Sequence, residues 1–374
     1  LTAGPTHAMT APNIEFWRNR RVLLTGHTGF KGAWMCAWLE EMGADVTGFA
    51  LEPDPGANLF RDLGKLSSVR SIIGDVRDRD ALRTACADTN PEVVIHMAAQ
   101  SLVRRSFVDP HGTYATNVQG TGNLLEMLEP CQDLSAILVI TSDKCYRNDN
   151  SGRPFIESDP LGGNDPYSGS KAAQETIAIG WRRGLLENRD GSARLGTARA
   201  GNVIGGGDWS EDRILPDLFR AIENGTVLEV RNPAATRPWQ HVLDVLAGYL
   251  AYIEVLSGDS EREKPKTLNF GPRTTEAKPV QWLVERALDR VRAAGIEAEN
   301  WDGVPGTGPS EAAHLALDAS LATKTLGWEP CLTQEEAIDW TADWHAGLMG
   351  GKPARELVSE QISRFSDLTP ASQI

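Results

Sequence analysis

Tyr167 and Lys171 lie four residues apart in PYSGSK, residues 166–171, a spacing that puts two side chains on one face of a helix. A lysine ammonium beside a phenol favours the phenolate and draws a pKa of about 10 toward neutrality. Such a phenolate takes the proton of a hydroxyl while hydride leaves the same carbon. Upstream, TSDKCY, residues 141–146, ends an apolar run, and Ser142 supplies a hydroxyl able to hold the same oxygen. Asp143 and Lys144 follow at once, an acid and a base for which alcohol oxidation alone has no use. A lysine serves as a base only when desolvation or nearby positive charge lowers its pKa, and Lys171 is expected to supply that charge. Taken alone, Asp143-Lys144 reads as a solvated loop ion pair and Tyr-x-x-x-Lys as a chance spacing. Their order behind a glycine-rich turn ties them to chemistry.

That turn is LLTGHTGFKG, with Gly26, Gly29 and Gly32 where a first strand meets a first helix. Glycine there lets the backbone approach a pyrophosphate, and the helix N-terminus offers unpaired N–H groups and partial positive charge. A bound dinucleotide is therefore expected, with His27, Phe30 and Lys31 lining the turn. The second strand ends in GFALEPDP, which holds no Arg or Lys to meet a 2′-phosphate, so NAD is expected rather than NADP, with Glu52 at the ribose. Asp75, next to Val76 in SIIGDVRD, is placed to meet the adenine or to cap the next helix.

The elements that must position these residues show in the hydrophobic pattern. RVLLT, DVTGFA, VRSIIG, VVIHMAA and AILVIT are short apolar runs separated by amphipathic stretches, among them a helix to about Met42, DRDALRTACA, and a long helix ending near Leu128. Such alternation predicts an α/β fold, a Rossmann-like doubly wound parallel sheet. Unbroken Val/Ile/Leu runs suit strands buried on both faces. Past LGTARAGNVIG the regularity fades into a Gly- and Pro-rich remainder. The expected organisation is a tag or disordered segment over 1–13, a dinucleotide-binding domain over 14–204 to which segments around 236–272 return, and a mainly substrate-binding region with a C-terminal tail over 205–374. Trp17, Trp34 and Trp38 read as packing residues.

TGHTGFKG, GDVRD, HMAAQSLVRRS, TNVQGT, TSDKCY, PYSGSK, RAGNVIGGGDW, RPWQHV and NFGP together resemble the extended short-chain dehydrogenases/reductases, the family of nucleotide-sugar epimerases and dehydratases. The resemblance runs from residue 20 to about 330. It implies bound NAD, a nucleoside-diphosphate sugar as substrate, and homodimers formed through a four-helix bundle, with pairing into tetramers left open. It also implies cofactor contact at Ala98, Ala99 and Gln100, and substrate contact at Ser101, Asn202, Arg213, Arg237 and His314, with Arg231 and His241 as weaker nucleotide-side candidates. An Arg fork suits a phosphate. Hexose 4,6-dehydratases of this family carry Asp-Glu after the hydroxyl residue, whereas this chain has Asp143-Lys144. That departure is similar to the members acting on CDP-D-glucose, in which Asp143 would be the acid at the 6-hydroxyl and Lys144 the base at carbon 5. Dehydration of dTDP-glucose or GDP-mannose, 4-epimerisation, and a catalytically silent NAD-binding regulator stay open as alternatives.

A formal net charge of −14 opposes binding to nucleic acid or anionic lipid. Five dispersed cysteines, without a C-x-x-C spacing, suit reduced thiols and a cytoplasmic setting, and seven scattered histidines predict no metal site. Residues 1–13 lack the charged start and apolar core of a signal peptide, and Met9 reads as the natural start after an added segment. The longest apolar tract, Val245 to Leu256, is shorter than the ~20 residues of a membrane span.

Overall fold

The computed structural model describes residues 11–53, 55–149, 151–187, 193–258, 264–273, 278–305 and 315–369. Seven parallel strands form one sheet: β1 (Arg21–Thr25), β2 (Asp45–Ala50), β3 (Val69–Ile73), β4 (Val93–His96), β5 (Ala136–Ile140), β6 (Arg194–Ala200) and β7 (Thr267–Phe270). Their spatial order is β7-β6-β5-β4-β1-β2-β3. The order reverses between β1 and β4, and in open α/β sheets ligands bind in the crevice beyond the strand ends at such a point.

Alternate residues of the central strands β1, β4 and β5 enter opposite cores, while β3 at the sheet edge is largely exposed. Val22 and Leu24 face one, with Val93, Ile95 and Leu138, while Leu23, Val94, Ile137 and Val139 face the other. This is why the runs are continuously apolar. The first core is closed by α1 (Phe30–Glu41) and by α5 (Val242–Ser257), the second by α2 (Arg79–Thr89), the helical segment Gly120–Met127 and α3 (Pro166–Trp181). A separate apolar cluster joins α4 (Ile214–Glu223), α6 (Val280–Ala293) and α7 (Gln334–Met349) into a smaller lobe.

Sequence beyond residue 205 serves both lobes. β7 completes the sheet, and α8 (Ala354–Leu368) lies on α1, with Phe365 edge-on to Trp38 at 5.7 Å between ring centroids. All three early tryptophans are buried; Trp34 Nε1 donates to Gly206 O at 2.9 Å, and Trp17 Nε1 to Glu254 at 2.7 Å. Asn13, placed by sequence in the dispensable terminus, caps the first helical turn, Ile14–Trp17. Among the described residues no helix is long and apolar enough to cross a membrane, and all five cysteines are free.

One buried ion pair fixes the sheet to the helix that carries Tyr167 and Lys171. Arg199 of β6 donates through Nε and Nη2 to both oxygens of Glu175 on α3, at 3.0 and 2.8 Å. Thr141 and Thr197 donate to the same carboxylate, at 2.5 and 2.8 Å, so all four lone-pair directions are used. Arg199 Nη1 reaches Tyr146 Oη at 2.7 Å, and Tyr146 donates in turn to Asn269 at 2.7 Å. Both ends of TSDKCY are thus anchored to one charge pair. Breaking such a pair strands a buried charge. Arg199→Met is expected to cost about 3–5 kcal/mol in denaturant unfolding, with part of the loss recovered when Glu175→Gln is added; a loss below about 1 kcal/mol, the range of a surface pair, would contradict this.

Candidate active site

The turn after β1 passes close under the end of β4. Gly26 has φ +78°, and a Cβ there would stand 2.7 Å from Ala98 N; at Gly32 it would stand 2.1 Å from Gly26 O. The protein itself demands glycine at both. At Gly29, the N-cap of α1, the nearest atom to such a Cβ is 3.4 Å away, and no side chain caps the helix. Space kept clear of side chain over open helix N–H groups, at the sheet's reversal point, fits the pyrophosphate of a dinucleotide.

Several residues expected at the cofactor are occupied by the protein. His27 is buried against Gly48 and Phe60, its Nε2 is 2.7 Å from Ser71 Oγ, and burial lowers its pKa to about 4. Its side chain belongs to the sheet, which leaves its backbone to the cradle. Val76 packs on Gly120. Asp75 is gripped by Arg77, whose Nε lies 3.0 and 2.9 Å from its two oxygens. Asp75 does not cap α2; Asp78 does, accepting from Asp80 N and Ala81 N. The side chain of Gln100 is spent on its own loop, with Nε2 donating to Leu102 O and Thr113 Oγ1 and Oε1 accepting from Leu102 N. Glu52 and Ser101 are exposed, Ala98 and Ala99 half-buried, and Phe30 lies beside Gly205.

Ser142, Asp143, Lys144 and Tyr167 converge at the end of β5. Ser142 Oγ donates to Asp143 Oδ1 at 2.9 Å and accepts from Lys144 N at 3.2 Å, capping the single turn Asp143–Cys145. Lys144 Nζ stands 3.9 Å from Asp143 Oδ1. Asp143 is buried and Lys144 half-buried, so the pair is not a solvated loop contact. Burial raises the Tyr167 phenol above its ordinary value; Lys144 is the leading charge that pulls it back, helped by a hydrogen bond with Ser142.

Lys171 is held by acceptors of the protein. Its ammonium donates to Ile140 O at 3.2 Å and Gln174 Oε1 at 2.9 Å, and it is not among the leading influences on Tyr167. Burial, then the charge of Lys31, lowers its pKa to about 7. Lys31 itself falls to about 8 through burial and Arg213, against the opposing pull of Asp143 and Asp208. The cation acting on the buried lysine thus comes from the glycine turn, and the cation acting on the tyrosine comes from the acid–base pair.

A buried hydrogen-bond chain fixes the lysine's orientation. Thr121 Oγ1 donates to Asn117 O at 2.7 Å, so the His96 Nε2 that lies 2.9 Å from it must donate. His96 Nδ1 then accepts from Thr25 Oγ1 at 2.7 Å. Gln174 Nε2 also donates to Thr121, at 2.7 Å, which turns Gln174 Oε1 toward Lys171. His96 remains neutral, since burial and then Lys171 lower its pKa to about 3. Asn117 joins Gln100 to Ser170. Neither His96, Asn117, Thr121 nor Gln174 was singled out from sequence. TNVQGT carries two of them, but only the fold brings them to Lys171.

On the sugar-phosphate side Asn202 has φ +50° and a buried side-chain nitrogen without a hydrogen-bond partner, the state of a donor prepared for a ligand. Arg213 pairs with buried Asp208 at 2.8 Å, and its charge reaches Tyr167. Arg237 is half-buried and donates to Thr236 O at 2.9 Å. Arg231 pairs with Asp212 at 3.0 Å, and His241 is buried as the N-cap of α5. His314 lies outside the described residues.

Residues 22–271 match the NAD dependent epimerase/dehydratase family. The chain belongs to that family. It is 40% identical over 358 residues to a CDP-glucose 4,6-dehydratase of Salmonella typhimurium, covering 95% of this chain and 98% of that protein. A dTDP-glucose 4,6-dehydratase of Xanthomonas campestris is 26% identical over 340 residues, covering 86% and 92%. Among solved structures, the dTDP-glucose 4,6-dehydratase of Streptomyces venezuelae with NAD and TYD bound superposes with a TM-score of 0.74 at 23% identity, covering 90% of this chain and 99% of that one. At that identity the likeness speaks for the fold.

NAD is the cofactor that the family and the cradle agree on. Because no protein atom crowds Gly29, Gly29→Ala is expected to weaken NAD binding roughly tenfold or more (about 1.4 kcal/mol) in calorimetric titration, while the unfolding midpoint stays near that of the unmodified chain. Equal losses of stability and of cofactor affinity would show that Gly29 serves packing instead.

Proposed function

We propose that this chain dehydrates CDP-D-glucose to CDP-4-dehydro-6-deoxy-D-glucose, as an NAD-dependent hydro-lyase. The observation that carries the reading is the pair Asp143 and Lys144, partly withdrawn from water beside Ser142 and Tyr167. An oxidation or a 4-epimerisation needs the tyrosine and the hydroxyl; only elimination needs a further acid and base. The Gly26–Gly32 turn would hold NAD, which would supply a hydride acceptor for carbon 4 and, once reduced, a hydride donor for carbon 6. Tyr167, hydrogen-bonded to Ser142, takes the proton of the 4-hydroxyl. The proton on carbon 5 is then acidic, lying alpha to a ketone, and Lys144 removes it. Asp143 protonates the departing 6-hydroxyl, which leaves as water, and Lys144 returns a proton to carbon 5. The proton gained by Tyr167 and the one lost by Asp143 balance through solvent, so the sugar loses water with no net redox change.

Asn202 and the arginines Arg213 and Arg237 hold the diphosphate in this reading. The likeness to the Salmonella relative supports cytosine as the base. Self-association through the helices beside the site is supported by Phe107, Val108 and Tyr114, apolar side chains exposed around Pro110–Tyr114. The product is a keto-deoxysugar suited to cell-surface polysaccharide, made in the cytoplasm.

Incubation with CDP-, dTDP-, UDP- and GDP-hexoses, followed by mass spectrometry for loss of water, tests the substrate. Dehydration of CDP-glucose well ahead of the others is expected. Equal turnover of dTDP-glucose, or none of CDP-glucose, would overturn the assignment.

A further inference from the structure

The carboxylate of Asp143 rests on bare backbone. A Cβ at Gly201 would lie 1.9 Å from Asp143 Oδ2 and 2.3 Å from its Cγ, and no other group is among its nearest contacts. Gly201 is not in the left-handed region, so its conformation alone would accept alanine. Only the acid refuses it.

The backbone under the acid is itself held. Gln240 Nε2 donates to Gly201 O and to Phe270 O, both at 3.0 Å, and Gln240 N donates to Asn202 O at 3.2 Å. Two carbonyl partners settle which end of that amide is nitrogen. Above, Ser142 Oγ holds Asp143 Oδ1 at 2.9 Å. One carboxylate oxygen is therefore set by the Ser142–Lys144 turn and the other by the Gly201 peptide. The same small cavity is lined by Asp143, Gly201, Asn202 and Gln240.

We propose that Gly201 is a positioning residue for the elimination step: the space left by its missing side chain seats the Asp143 carboxylate, and the Gln240 amide keeps that seat in place. The proposal rests on the dehydratase reading. A general acid displaced by about 1 Å loses on the order of a hundredfold in rate, whereas Tyr167, which serves the oxidation in this reading, is not among the atoms nearest a Cβ at Gly201.

Two double-mutant cycles test it. In the first, Gly201→Ala lowers the rate of dehydration roughly hundredfold with KM nearly unchanged, while absorbance at 340 nm builds up on mixing with CDP-glucose as it does in Asp143→Asn; the double variant is no slower than Asp143→Asn alone. Independent, multiplying losses, or loss of the 340 nm signal in Gly201→Ala, would overturn the proposal. In the second, thermal unfolding without substrate, Gly201→Ala lowers the midpoint of the full chain but not of Asp143→Ala, where the obstructing carboxylate is gone. Equal effects in both backgrounds would overturn it. This second cycle reads the seat whether or not CDP-glucose is the substrate, and if Gly201→Ala fails to fold in the native background, its folding with Asp143→Ala is the expected rescue. Failure of the unmodified chain to dehydrate CDP-glucose would instead count against the substrate assignment.

Discussion

The buried pair of Arg199 and Glu175 is the interaction around which the site is organised. It joins three things that sequence separates: the end of β6, the helix of Tyr167 and Lys171, and, through Thr141 and Tyr146, the two ends of TSDKCY. A buried ion pair is a weak source of net stability, because desolvating both charges offsets most of their attraction. What it secures here is uniqueness of arrangement. With every lone pair of Glu175 engaged, any sliding of α3 along the sheet would leave several buried polar groups unsatisfied, at about 1–3 kcal/mol each.

Within that frame the charges sort into two groups. Lys171 lies deep and Lys31 half-buried, and burial draws both pKa values down, helped at Lys171 by the charge of Lys31 and at Lys31 by that of Arg213. Lys144 and Arg213 act on Tyr167, each set against its own carboxylate, Asp143 or Asp208. The Asp143–Lys144 pair and Tyr167 are thus electrically joined: the charge that eases proton loss from Tyr167 belongs to the residue proposed as the base at carbon 5.

Much of this was legible in the residues. Unbroken apolar runs announced strands buried on both faces, which holds for β1, β4 and β5, whereas VRSIIG forms the largely exposed edge strand β3. Gly26, Gly29 and Gly32 announced a turn under a ligand, but sequence could not divide their work, since only coordinates show that two are demanded by protein atoms and one is not. Ser142, Asp143, Lys144 and Tyr167 were legible as a candidate group, and the structure brings them together at the end of β5. The acceptors of the Lys171 ammonium, Ile140 O and Gln174 Oε1, were not legible, because they depend on how β5 and α3 pack. Asp75 and Asp78 are three residues apart and equally able to cap; Arg77 decides between them by gripping the first. Gly201 carried no signal at all, for a glycine required by a carboxylate 58 positions away looks like any other glycine.

The central claim is that a single site carries hydrogen from one carbon of a hexose to another while water is lost between. The most direct measurement follows the label in CDP-glucose deuterated at carbon 4. The account predicts that the deuterium appears in the new methyl group at carbon 6 of the product, read by NMR. Deuterium released to solvent, or retained at carbon 4, would contradict it.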